Sequence, residues 1–457
     1  MNKITPESDP FVDARPAPRG AAGLQPTAVA SAAPVVSDPG PRRITRRDLV
    51  IATLCALVFV VFVLAEFWNY WGKDFSAYYY AGKFFHAGDL SQIYAGPPKV
   101  IGPEMPESWR AAVRADGFET AQTFPFLYLP WMAWAMAPVA AHVSPLAAMN
   151  VALVLNIALS MLSVFLSWRL FAATTRISFG LWACLSLGVL ILSAISIVAL
   201  SLGQIQILVF TLVLLAFERY RAGKVVLAGV LLAAATMIKV TPAAFAIIFL
   251  WDRNWRAVGT FVATALLFLA GSIAVAGWEL HRVQFDLMSQ LSAQLNITNV
   301  GVSLEAFVYQ VVDIFRESAP PHPGVEISVP RPGWLDLVVK GVFALGLGVI
   351  WAATRRLHVD QRLPEQLIAL AILLPLCAPL GWMHYYLLAA YFLPALFASR
   401  LPINYILYFG FLAMTTSWLA YWTISIRGTV LTQVVVYVPY FGALLVRVLT
   451  HGTAAED

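Results

Sequence analysis

Arg42-Arg43-Ile-Thr-Arg46-Arg47-Asp-Leu49 opens an apolar run that carries no charge until Glu66, and the run ends in Phe67-Trp68-Asn-Tyr70-Trp71-Gly-Lys-Asp74. As a helix this run is long enough to cross a hydrocarbon layer of about 30 Å. It is too long for the apolar core of a cleavable signal, and no small-residue cleavage site follows it. The arginines ahead of it belong on the cytoplasmic side and the aromatic cluster behind it at the opposite interface. The first crossing therefore holds the N-terminus inside and delivers Asp74 to the outer rim.

Composition extends this reading to the whole chain. Of 457 residues, 60% are hydrophobic and only 12% are charged, far from the balance of a soluble domain. The expected architecture is an all-α polytopic membrane protein of about twelve transmembrane helices. Further crossings are expected near 145–168, 177–200, 204–217, 225–238, 241–251, 257–278, 337–354, 366–380, 384–399, 401–425 and 428–446. Alternation from a cytoplasmic start leaves Arg169, Arg176, Arg219, Arg221, Lys224, Arg253, Arg256, Arg355, Arg356, Arg362, Arg400 and Arg447 inside. That agreement requires the stretch Phe124–Val143 not to cross. Pro125, Pro130 and Pro138 suit it to a helix on or dipping into the outer face.

Three regions follow: a disordered cytoplasmic tail over 1–44, rich in Pro, Ala and Ser, a transmembrane domain over 45–450, and a short cytoplasmic tail over 451–457. Long segments at 69–144 and 279–336 face outward while the cytoplasmic connections are short, so chemistry is expected outside. The expected setting is a bacterial inner membrane with the site on the periplasmic side. Membrane lipid is the expected surrounding, and no nucleic acid is expected as a partner. Cys55, Cys184 and Cys377 lie in apolar runs without paired or metal-ligand spacing.

Polar residues at membrane depth or at the rim single out a few positions, because such residues are retained mainly when they have a partner or a task. Asp74 begins Asp74-Phe75-Ser-Ala-Tyr78-Tyr79-Tyr80-Ala81, where it could simply cap the outer helix. Gln204 and Gln206 stand in Gly203-Gln204-Ile-Gln206 between two uncharged runs. Lys239 stands in Lys239-Val-Thr241-Pro242 between two runs too short to cross a bilayer alone; its plain reading is a snorkelling side chain. His384 lies in Trp382-Met-His384-Tyr385-Tyr386 and could be a packed imidazole. Asp336 and Lys340, four apart, read as a helical ion pair. Asn296-Ile-Thr298 matches a glycosylation acceptor by pattern alone. A carboxylate, two amides, a cation and an imidazole thus fall on one side of the membrane, each at a break between apolar helices.

Taken with Gly88-Asp89-Leu90, Tyr94, Phe126, Tyr128 and Pro130, these segments resemble, in order and spacing, the polyprenol-phosphate-mannose-dependent mannosyltransferases of glycosyltransferase family 87. The resemblance covers most of residues 70–390 and implies the GT-C fold with juxtamembrane helices in the first outer loop. It implies Asp74 as the catalytic base, with Lys239, His384 and Gln204 at the donor phosphate. Tyr78, Tyr79, Tyr128, Gln206, Trp382 and Tyr385 are then the substrate-lining residues. Gln206 stands where the family often has Asn, Tyr385 where a second His is common, and the second outer loop matches only loosely over 299–303.

The implied reaction moves a hexose, with mannose the expected sugar, from a polyprenyl-phosphate donor to a lipid or glycan acceptor. Elementary chemistry agrees: a phosphate leaves as an anion without protonation, so one base suffices. Attack opposite the phosphate inverts C1, and fixed cations or donors stabilise the departing charge. No second carboxylate adjoins Asp74, so no metal and no cofactor are expected. Two other readings share the many-span pattern. A secondary transporter would show matching halves and midplane polar residues. An O-antigen-type polymerase or ligase would carry an Arg and His pair in a large late outer loop, whereas Arg282, Arg316, Arg331, His281 and His322 are scattered.

Overall fold

A capping box starts the first helix: Thr45 accepts from the Asp48 amide while the Asp48 carboxylate accepts from Thr45 N at 3.0 Å. The computed structural model describes residues 43–95, 105–175, 177–298, 301–314, 327–398, 402–415 and a few positions between 438 and 447. The tails, Arg176, Asn299, Arg316, His322, Arg400 and nearly all of the expected crossing at 428–446 lie outside the described residues, as does the second half of that at 401–425.

Helix α1 (Arg46–Phe67) buries Asp48, Phe59 and Val63 and leaves Leu57, Val58 and Val61 more than half exposed, as a helix facing lipid does. The chain then reverses at Asn69, held in the left-handed region at φ 60° by Asn150, whose Oδ1 accepts from Asn69 N at 2.9 Å. The first long connection folds into α2 (Lys73–Ala87), α3 (Glu107–Ala115) and α4 (Pro130–His142). Helix α2 stops at Gly88, which is left-handed at φ 75°. Gly82 lets α2 and α4 touch: a Cβ there would stand 2.8 Å from the Met136 carbonyl carbon. Lys83 and Tyr80 reach Asp116 at 2.5 and 3.0 Å, and Trp109 Nε1 donates to Gln92 O at 2.8 Å. The stretch from Phe124 to Val143 accordingly holds a 13-residue helix packed along α2.

The long α5 (Pro145–Phe171) begins the next group, followed by α6 (Phe179–Leu192), α7 (Ala194–Ser201) and α8 (Gln206–Arg221). The single crossing expected at 177–200 is two helices. Ser193 divides it, capping α7 by accepting from Ile195 N. Helices α7 and α8 meet at 116° across Leu202–Ile205. Next come α9 (Val225–Ile238), a 3-10 turn over Thr241–Ala246, α10 (Ile247–Trp251), α11 (Trp255–Ala276) and α12 (Trp278–Ser292). The shortness expected at 225–251 is present: 14 helical residues, then Lys239 and Val240, then the turn.

One feature departs from the all-helical expectation. Strands β1 (Gln294–Ile297) and β2 (Ile327–Pro330) pair antiparallel, with Gln294 opposite Pro330 and Ile297 opposite Ile327. Short runs containing β-branched residues form such a pair once the chain closes on itself. Asn296 is buried on β1. Between the strands lies α13 (Leu304–Ile314); after them come α14 (Gly333–Thr354), α15 (Val359–Cys377), α16 (Leu387–Phe392) and α17 (Pro402–Thr415). The ion pair expected within α14 is present, Lys340 Nζ to Asp336 Oδ2 at 2.6 Å. Arg331 joins it at 3.3 Å and also clasps the buried Glu305 at 2.7 Å.

Among the described residues, α1, α5, α11 and α14 are each long and apolar enough to cross a membrane, and the bent α7–α8 pair makes a fifth candidate. The other apolar helices are shorter, and α6 and α9 pack against neighbours rather than standing alone. At the end of the molecule remote from Asp74, Glu218 of α8 is buried and pairs with Arg169 of α5 at 2.8 Å and with Arg219.

Candidate active site

The α7–α8 break builds the floor of the site. Its carbonyl at Leu202 accepts from both Asp74 N and Phe75 N at 3.1 Å, so the first turn of α2 is pinned to it by backbone alone. The pinning needs glycine: Gly203 has φ 64°, and a Cβ on it would lie 2.7 Å from Phe75 Cβ. With the backbones locked, Gln204 Nε2 donates to Asp74 Oδ2 at 2.5 Å, across 130 residues of sequence. Asp74 does not cap α2: the N-cap position is Gly72, and no side chain bonds there. Both Asp74 and Gln204 are buried.

Lys239 follows the last turn of α9, in the two-residue gap before the 3-10 turn. Its ammonium is buried and has no hydrogen-bond acceptor among the described residues. It sits over the ring of Tyr385, 4.3 Å from the centroid. The snorkelling expected of a lysine at a helix end is therefore not what this side chain does. Burial pushes the Asp74 carboxyl above the usual carboxylate range, opposed by the charge of Lys239 and by the Gln204 hydrogen bond. Burial likewise pulls the Lys239 ammonium below its ordinary value, opposed by Asp74. Each charge steadies the other, yet the two make no ion pair, and a buried ammonium without an acceptor costs on the order of several kcal/mol.

His384 lies in a 3-10 turn, Met383–Tyr386, ahead of α16. It is buried, stands edge-on to Tyr385 at 4.8 Å between ring centres, and feels the charge of Lys239. Neither ring nitrogen has a partner among the described residues. Trp382 packs on both rings, 5.6 Å from His384 and 5.8 Å from Tyr385. The second long loop braces this turn: Val302 N donates to Gly381 O at 2.7 Å, and Gly301 bridges Trp382. A Cβ on Gly381 would stand 2.6 Å from Ser303 Cβ, so the contact requires glycine.

The rings of Tyr78 and Tyr128 pack at a tilt of 49° with centres 4.5 Å apart, and the charge of Asp74 reaches both hydroxyls. Gln206 and Tyr385 border a small apolar cleft together with Phe210, Thr241, Pro242 and Leu388. Of the substrate-lining residues that the resemblance implies, Tyr79 is held elsewhere. Its hydroxyl donates to Val143 O at 2.7 Å and fastens α2 to the end of α4. Sequence reasoning missed the Leu202 carbonyl and the Gly301–Ser303 brace. The first carries no side-chain signal, and for the second only Gly381 hints at a close approach.

The arrangement offers a proton acceptor held by an amide, a buried cation and an imidazole without hydrogen-bond partners among the described residues, and an adjoining apolar cleft. The sequence profile of glycosyltransferase family 87 matches residues 126–380, more than half of the chain. No curated protein and no solved structure matches. Gln204 and Lys239 fall inside the matched stretch; Asp74 and His384 lie on either side of it and are joined to it by the contacts just described. With more than half its length in that profile, the chain belongs to glycosyltransferase family 87, a membrane family of the GT-C class.

Proposed function

We propose that the protein moves a hexose, with mannose the expected sugar, from a polyprenyl-phosphate donor to a lipid or glycan hydroxyl on the extracytoplasmic side of the membrane. The observation that carries this reading is the buried Lys239 ammonium, without an acceptor among the described residues, near a carboxylate already held by Gln204. A glycosyltransferase whose leaving group is a phosphate needs such a cation, because negative charge grows on the phosphate toward the transition state. His384, with both ring nitrogens free among the described residues, is the second donor within reach. The apolar lining of the cleft at Phe210, Pro242 and Leu388, beside Gln206 and Tyr385, supports an isoprenoid chain next to that phosphate.

In this mechanism the acceptor oxygen forms a bond to C1 as the bond from C1 to the phosphate oxygen breaks. The bonding pair leaves with the phosphate, the acceptor proton passes to Asp74, and C1 is inverted. Tyr78, Tyr128 and Trp382 supply the aromatic walls against which a sugar ring stacks. Basic residues gathered at the opposite end, among them Arg169, Arg219, Arg221 and Arg355, support a cytoplasmic placement of that end and an outward-facing site.

The test is a set of transfer rates for the wild type, Lys239→Ala, His384→Ala and the double variant over a series of donor concentrations. Loss of the ammonium is expected to lower kcat and donor affinity together, by about 100-fold or more in kcat/KM, with partial retention in Lys239→Arg. The double variant should lose less than the product of the single effects, because neighbours on one phosphate are not additive. Fully multiplicative losses would place the two residues at separate tasks, and an unaffected Lys239→Ala would remove the phosphate role.

A further inference from the structure

Cys55 and Cys184 stand far apart in a sequence that suggests no pairing, and the fold brings them together. All three cysteines of the chain are free thiols. Cys55 lies near the middle of α1 and Cys184 in the second turn of α6, and their side chains are in hydrogen-bond contact. The contact follows from how the two helices meet. Gly180 N donates to Asp48 Oδ1 at 3.2 Å, and a Cβ on Gly180 would stand 2.9 Å from Asp48 Cα, so the first turns of α6 and α1 touch through their backbones. Helix α1 packs on α6 and, beyond it, on α7, so the two run the same way from that point. Cys55 follows Asp48 by seven residues and Cys184 follows Gly180 by four, spacings that return each thiol to the face that makes the contact.

The edge of this seam faces lipid. Leu54 and Val58 on α1 and Leu181 on α6, each within three residues of a thiol, are 47 to 60% exposed. Cys184 is itself exposed and Cys55 partly so. Tyr408 of α17 anchors the same turn of α6, its hydroxyl donating to Leu185 O at 3.0 Å. The pair is thus held in place and open to the hydrocarbon rather than to water.

We propose that Cys55 and Cys184 are an oxidisable pair that closes as a disulfide across the α1–α6 seam, with a lipid-soluble quinone as the oxidant. Both S–H bonds break and one S–S bond forms, and the two electrons and two protons released reduce the quinone to its hydroquinone. The class of oxidant follows from the place, since a quinone on an apolar chain dissolves where the thiols lie and water-soluble oxidants do not. Water-soluble thiols are kept from the closed bond for the same reason, because exchange requires a thiolate to reach a sulfur. Beyond the pair, α1 leads to Asp74, and α6 leads through α7 to Gln204. The bond therefore ties together the supports of two residues that meet in the candidate site.

The test uses the whole purified protein, reduced and then freed of reductant, in phosphatidylethanolamine and phosphatidylglycerol vesicles. The probe is a fully substituted benzoquinone carrying a decyl chain, which has no ring position open to thiol addition. After treatment the chain is denatured, remaining thiols are tagged with a maleimide, and the digest is read by mass spectrometry. Tagging of Cys55 and Cys184 is expected to fall together by about 10-fold while Cys377 stays tagged. A peptide pair joined through Cys55 and Cys184, lighter by the two thiol hydrogens, should appear and should vanish on reduction. In Cys184→Ala, a change on the lipid-facing side, Cys55 should stay fully tagged under the same treatment, and Cys377→Ala should leave the pair's behaviour unchanged. Undiminished tagging of Cys55 and Cys184 in the wild type would overturn the proposal. So would disulfide-linked dimers with Cys55 still tagged, since the partner of Cys184 would then be a second chain. Loss of Cys55 tagging in Cys184→Ala as large as in the wild type would also overturn it, by assigning the oxidation to single thiols.

Discussion

At the scale of single residues, the decisive pair is a carboxylate and an ammonium that burial drives in opposite directions. Asp74 titrates above the usual carboxylate range and Lys239 below its ordinary value. In the proposed mechanism the base works deprotonated, so transfer is expected to fall as pH drops through the raised Asp74 value, nearer neutrality than an ordinary carboxylate. The cation works protonated, so transfer falls again as pH rises through the lowered Lys239 value. Bound phosphate favours the ammonium, and the alkaline limb should therefore lie higher in kcat than in kcat/KM for the donor. Lys239→Arg should remove that limb while keeping part of the activity, since a guanidinium stays charged throughout. An alkaline limb unchanged in Lys239→Arg would assign it to another group. Asp74, Gln204, Lys239 and His384 were all legible as polar residues at breaks in apolar sequence. Their pairing was not, because the Asp74 to Gln204 bond spans 130 residues and depends on a backbone carbonyl that no side chain announces. Tyr79 shows the opposite limit: next to Tyr78 in sequence, it turns to Val143 instead.

At the scale of elements, the break between α7 and α8 positions the chemistry. Gly203 combines a left-handed φ of 64° with a Cβ position 2.7 Å from Phe75 Cβ, and neither can relax without moving α2. Gly203→Ala is expected to cost about 1 to 3 kcal/mol in strain and overpacking, paid as displacement of α2 and of the Asp74 that it carries. The readout is a fall in kcat of about 10-fold or more with donor binding largely kept. Gly188→Ala in α6 is the control: nothing lies near its Cβ, and the change should leave transfer at the wild-type rate. Equal effects at both positions would deny the turn its positioning role. Most helices after residue 144 were readable from uninterrupted apolar runs, with α9 at the expected residues. The division at Ser193 and the β1–β2 pair were not. A single serine in an apolar run reads equally as an interior residue or as a cap, and strand pairing depends on a partner about 30 residues or more away.

At the scale of the whole molecule, Asp74, Gln204, Lys239 and His384 gather at one end and Arg169, Arg219 and Arg221 around Glu218 at the other, and the proposed orientation applies the positive-inside rule to the second group. In a chain with Cys55, Cys184 and Cys377 replaced, a cysteine at the exposed Glu107 or Glu279 should react with an impermeant thiol reagent applied outside intact cells. One at Lys224 or Arg355 should react only after the membrane is opened. Labelling of position 224 from outside would reverse the orientation and move the site to the cytoplasm. The central claim is that the intact protein draws its sugar from a lipid phosphate and that Asp74 takes the acceptor proton. Its most direct test is transfer by the purified, reconstituted protein supplied with radiolabelled polyprenyl-phosphate-mannose or, separately, with the matching nucleotide sugar, each with a membrane lipid extract as acceptor source. The account predicts labelled product from the polyprenyl donor alone, and a loss of about 1,000-fold in Asp74→Asn with donor binding kept. Product from the nucleotide sugar, or near-normal turnover in Asp74→Asn, would contradict it.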